Sequence, residues 1–69
     1  MNPGRPMQED TRRALAVFRA RARELLDAED VAEDTRLPLY RAQRACHNLS
    51  RRARIVHVGG AFYALRDAP

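Results

Sequence analysis

Between Tyr40 and Arg54 the chain gathers the side chains best suited to reading a polar template: Tyr40, Arg41, Gln43, Arg44, His47, Asn48, Arg51, Arg52 and Arg54. A carboxamide presents a donor beside an acceptor and pairs bidentately with the edge of adenine. A guanidinium does the same with guanine or with a phosphate. Gln43 and Asn48 can therefore read adenine, and Arg41 and Arg44 can read guanine or hold phosphate. Tyr40 can bond a phosphate, and Arg51, Arg52 and Arg54 can grip a flanking backbone. The plainer alternative is a solvated helix face with incidental arginines.

Other chemistry finds less support. Cys46 and His47 are adjacent, with His57 further on. Neighbours on a helix point to different sides, whereas a metal needs ligands converging on one point. The same geometry argues against a Cys–His nucleophile pair. Cys46 fits a small buried core residue better. Gly59-Gly60 is a turn and not a phosphate-binding loop. With 69 residues, one small domain is expected, too small for a deep cleft. These points predict a protein that is not an enzyme and needs no cofactor or metal.

Charge is divided unevenly. All thirteen basic residues are arginine, a bias that genomic base composition explains most simply. Residues 1–34 hold six Arg against eight acidic residues, a net of −2. Residues 35–69 hold seven Arg against Asp67 alone, a net of +6, which together give the chain's +4. A half that is almost purely basic points to an anionic partner. A single cysteine permits no internal disulfide and fits a reducing cytoplasm. No apolar run nears the ~18 residues of a membrane span, and no secretory signal is visible. The start at Met1 is read as the start of a whole gene product.

These side chains must be positioned by a few short elements. Residues 1–6 read as a disordered lead, 7–66 as the domain and 67–69 as a tail. Leu15, Phe18, Ala22 and Leu25, with Thr11 and Ala14, form one apolar stripe and predict a helix over about 7–25. Arg12, Arg13, Arg19 and Arg23 fall towards solvent. A second helix is expected over about 27–35, with Asp27 as N-cap and Asp30 in the N3 place of a capping box. Ala28, Val31 and Ala32 give it a narrow apolar face. Thr35-Arg36-Leu37-Pro38 breaks the chain before a third helix over about 39–51. There Leu39, Ala42, Ala45, Cys46 and Leu49 face one way. Tyr40, Arg41, Arg44, His47, Asn48 and Arg51 face the other, with Gln43 at the edge.

After Arg54 the helical spacing gives way to alternation. Over about 54–66 the chain reads as a hairpin turning at Gly59-Gly60. In that register Val58 faces Ala61 and Val56 faces Tyr63, and the face holding Val56, Val58, Tyr63 and Leu65 is expected inward. The expected core is Leu15, Phe18, Leu25, Val31, Leu37, Leu49 and Tyr63.

From Glu24 to Leu65 the sequence resembles the winged helix-turn-helix family of small bacterial and phage regulators, over about three-fifths of the chain. Ala28-Glu29-Asp30-Val31-Ala32 resembles the "ELA" start of the first motif helix. Leu37-Pro38-Leu39 resembles the turn into the recognition helix. Leu49-Ser50-Arg51-Arg52-Ala53-Arg54-Ile55-Val56 resembles the "L..RG.V" exit into the wing, and Gly60-Ala61-Phe62-Tyr63-Ala64-Leu65 the "G..Y.L" return strand. Two positions depart from the family. Arg36 stands where Gly is usual, at a cost of about 1 kcal/mol if the residue is left-handed. The second helix is acidic, and Asp27 and Glu29 would repel a nearby phosphate.

The resemblance implies a mainly α domain with a small β-hairpin that binds double-stranded DNA and reads the major groove with its third helix. Such a protein is a cytoplasmic transcriptional regulator. A palindromic site would call for a homodimer through the first helix or the hairpin, whose tip lacks arginine and carries an exposed aromatic. The alternative is a protein-binding adaptor of the same fold, docking through its acidic second and basic third helices. RNA binding has less support, because no aromatic platform beyond Phe62 or Tyr63 is visible.

Overall fold

The computed structural model describes residues 6–66. They form α1 (Pro6–Ala20), α2 (Ala28–Thr35), α3 (Leu39–Arg51), β1 (Ile55–Gly59) and β2 (Phe62–Leu65). This is the expected layout of three helices followed by an antiparallel hairpin. Residues 1–5 of the lead expected over 1–6, and the tail expected over 67–69, lie outside the described residues. Pro6, assigned to the lead, opens α1, where its missing N–H would have had no helical partner anyway.

The first helix stops at Ala20, five residues short of its expected end. Arg21 N–H still donates to Val17 O, but Glu24 N–H turns back to Arg21 O. The cause is tertiary. Leu26 exchanges both backbone hydrogen bonds with Tyr63, at 2.9 and 2.8 Å. It forms a one-residue bridge on the free edge of β2, which a helix running to Leu25 would forbid. Leu26 is therefore the fully buried leucine, while Leu25, expected in the core, is 53% exposed.

Local chemistry sets both ends of α2. Asp27 accepts from Asp30 N–H at 2.8 Å, and Asp27 N–H donates to the Asp30 carboxylate at 3.1 Å, closing the expected capping box. At the other end Arg36 is left-handed, with φ of 61°. Thr35 secures this turn. Its hydroxyl donates to Val31 O at 2.6 Å and accepts from Leu37 N–H at 3.3 Å. Arg13 of α1 donates to Thr35 O, placing a cation at the negative end of α2.

Pro38 caps α3, and Ala42, Ala45, Cys46 and Leu49 are buried as their spacing requires. Leu39 is not; it is 42% exposed, because Leu37 is the residue buried at this end of the helix. The helix leaves through a Schellman motif. Ala53 is left-handed (φ 58°), its N–H donates to Ser50 O, and Arg54 N–H donates to Leu49 O at 2.9 Å.

The hairpin forms in a shifted register. Ile55 pairs with Leu65, Val56 with Ala64 and His57 with Tyr63; a bulge then leaves Gly59 opposite Phe62. The turn residues are Gly60-Ala61, not Gly59-Gly60, with left-handed Gly60 at φ 56°. A one-residue slip flips a strand's side chains to its other face. So β1 buries Ile55 and exposes Val56 and Val58, against expectation, while Tyr63 and Leu65 of β2 stay on the inner side. Across that inner side the His57 and Tyr63 rings lie 5.2 Å apart, and His57 Nε2–H donates to Gly60 O at 2.6 Å.

The core joins Ala14 and Phe18 of α1, Leu26, Val31 of α2, Ala42, Ala45, Cys46 and Leu49 of α3, and Ile55 of β1. Of the expected set, Phe18, Val31, Leu37 and Leu49 are buried, and Leu15 and Tyr63 pack partly buried against the cluster. Alanine at positions 42 and 45 lets α3 approach its neighbours closely.

Candidate nucleic-acid interface

The outward side of α3 carries most of the candidate residues. Tyr40, Gln43, Arg44, His47 and Arg51 are exposed, and Asn48 is half-buried beside them. Arg52 and Arg54 follow, both exposed, held by the backbone bonds of the Schellman exit. Among the described residues, the side chains of Arg44, Arg51, Arg52 and Arg54 make no ion pair or hydrogen bond. Their position follows from the stripe on the opposite side of α3. Burying Ala42, Ala45, Cys46 and Leu49 turns the polar residues between them to solvent.

Arg41 is placed differently. Its Nε and Nη2 donate to the two carboxylate oxygens of Asp10 at 2.8 and 2.7 Å. The Asp10 side chain is only 7% exposed. That bidentate bond raises the Arg41 pKa further, and it ties the first turn of α3 to α1. Arg41 thus acts as a strut, with two donors already engaged. Nothing in the sequence pairs it with a carboxylate 31 positions away.

The acidic second helix is largely occupied with itself. Of the six carboxylates from Glu24 to Asp34, Asp27 and Asp30 close the capping box. Glu24 and Asp34 both bind Arg21, at 2.8 and 3.1 Å. The Arg21 hydrogen bond holds the Glu24 carboxyl below its ordinary range. Among the described residues, only Glu29 and Glu33 of the six are left exposed and without a partner.

Cys46 faces the core, where burial pushes its thiol up to about 11, and His47 points to solvent. Among the described residues, no three His, Cys, Asp or Glu side chains converge as a metal site. No helix among them is long and apolar enough to cross a membrane. No protein-family model, curated protein or solved structure matches the chain.

Proposed function

We propose that this protein is a winged helix-turn-helix regulator that binds double-stranded DNA, with α3 in the major groove. One observation carries the proposal. The outward face of α3 and its exit present Gln43, Arg44, Asn48, Arg51, Arg52 and Arg54 together, and the chain holds no acidic residue from Thr35 to Arg66. Gln43, Arg44 and Asn48 supply the bidentate groups that distinguish base edges. Arg51, Arg52 and Arg54 supply positive charge for the backbone. The outer hairpin face, where Val56, Val58 and Phe62 are exposed, suits contact with a second copy on a palindromic site. The buried, unpaired thiol of Cys46 accords with work in the cytoplasm.

Titration of the intact protein into labelled duplexes of mixed sequence, at two salt concentrations, tests this directly. Binding should weaken steeply with salt, because phosphate contacts release counterions. On a selected site, Arg44→Ala should weaken binding about 5- to 100-fold and affect random duplex far less. Absence of binding at low salt and high micromolar protein would overturn the proposal. The exposed Glu29 and Glu33 beside a basic α3 would then favour a protein-docking adaptor.

A further inference from the structure

Where α1 meets the exit of α3, the surface folds into an open recess of about 280 Å³. Three guanidinium groups line it: Arg12 from α1, and Arg52 and Arg54 from the exit. Gln8 adds an amide, and Leu15 and Leu49 make an apolar wall. Among the described residues, no carboxylate lines it.

Three arginines of this molecule are engaged by other groups. Arg21 and Arg41 bind carboxylates, and Arg13 binds a backbone carbonyl. Arg12, Arg52 and Arg54 have no such partner among the described residues. Gathering three like charges opposes folding, and they are held there by other forces. Arg54 N–H is bound to Leu49 O, and Arg54 O accepts from Arg66 N–H at 3.1 Å. The backbone thus fixes the exit whatever its side chains prefer. The apolar wall lowers the local dielectric, which strengthens attraction for an anion. A planar carboxylate matches one guanidinium fork. Three forks approaching from two elements suit the tetrahedral oxygens of a phosphate.

We propose that this recess is a phosphate-binding site, with Arg12 as its α1 arm. The phosphate is carried either by a nucleic-acid strand or by a small phosphorylated molecule. The first source rests on the DNA-binding function proposed above; the second does not.

Two titrations of the full chain separate these sources. One uses a mixed-sequence duplex followed by anisotropy. The other uses inorganic phosphate followed by NMR at the Arg12 side-chain Nε–H and the Arg54 amide. Arg12→Gln is compared with Arg19→Gln, an exposed arginine of the same helix outside the recess. The expected result is saturable phosphate shifts that Arg12→Gln abolishes. Duplex binding should fall about tenfold in Arg12→Gln, its salt slope should drop by about one unit, and Arg19→Gln should match wild type. If wild type ignores duplex but phosphate still binds through Arg12, the site holds for a small molecule and the DNA function falls. If duplex binds both variants alike and phosphate shifts nothing, the recess proposal is overturned and DNA binding stands. If neither ligand binds wild type, both are overturned.

Discussion

The two sides of this small domain treat charge in opposite ways. Where α1 meets α2, cations and anions are matched: Arg21 bridges Glu24 and Asp34, Arg13 closes the end of α2, and Asp27 and Asp30 cap its start. Along α3 and its exit, Arg44, Arg51, Arg52 and Arg54 stand unmatched among the described residues. Arg41 marks the boundary, since it belongs to α3 in sequence but is matched by Asp10 of α1. The matched charges tie elements together, and under the proposed function the unmatched ones of α3 meet the DNA, so mutations on the two sides should separate stability from binding.

Leu49→Ala should have the largest effect. Leu49 is 1% exposed and anchors α3 beneath both regions, so its truncation should cost about 2–5 kcal/mol. Urea unfolding measures this, and an unchanged midpoint would mean that α3 does not depend on this anchor. Next comes Arg41→Ala, which strands the buried Asp10 carboxylate and should lower Tm by about 10 °C. Arg44→Ala, three positions along, should leave Tm within about 2 °C. Equal losses in the two variants would erase the boundary between strut and free arginine.

Smaller effects sharpen the contrast. Arg36→Gly and Ala53→Gly relieve left-handed side chains at the C-terminal ends of α2 and α3 and should each add about 1 kcal/mol. A loss at Arg36 in calorimetry would show that its side chain does more than tolerate the turn. Arg21→Ala should shift Tm by less than about 4 °C, because exposed pairs are screened. Its pH dependence carries a definite sign. Arg21 lowers the Glu24 pKa from an ordinary 4.5, so its contribution is present above that value and disappears as pH falls through the lowered one. The gap between wild type and Arg21→Ala should therefore narrow on acidification; a widening gap would contradict the pairing.

Legibility followed range. The capping box needs residues three apart, the Pro38 break needs neighbours, and the α3 stripe needs one helical period. Each was readable from residue types alone, and so was the outward set Tyr40, Gln43, Arg44, His47 and Arg51. Arg12 looked like one more solvated arginine of α1, because only the approach of the α3 exit brings Arg52 and Arg54 towards it.

By itself, then, the sequence determined which segments are helical or extended, the bounds of α3 and the side of it that faces water, because propensity, capping and periodicity act within a few residues. Tertiary structure decided where α1 ends, since the Leu26–Tyr63 backbone pairing joins segments 37 positions apart and outweighs the helical preference of residues 21–25. It decided the hairpin register as well. Both faces of the hairpin carry apolar residues, and only packing of Ile55 against the helices selects between them. And it made Arg41 a strut, because Asp10 is brought beside it only when α1 and α3 pack together.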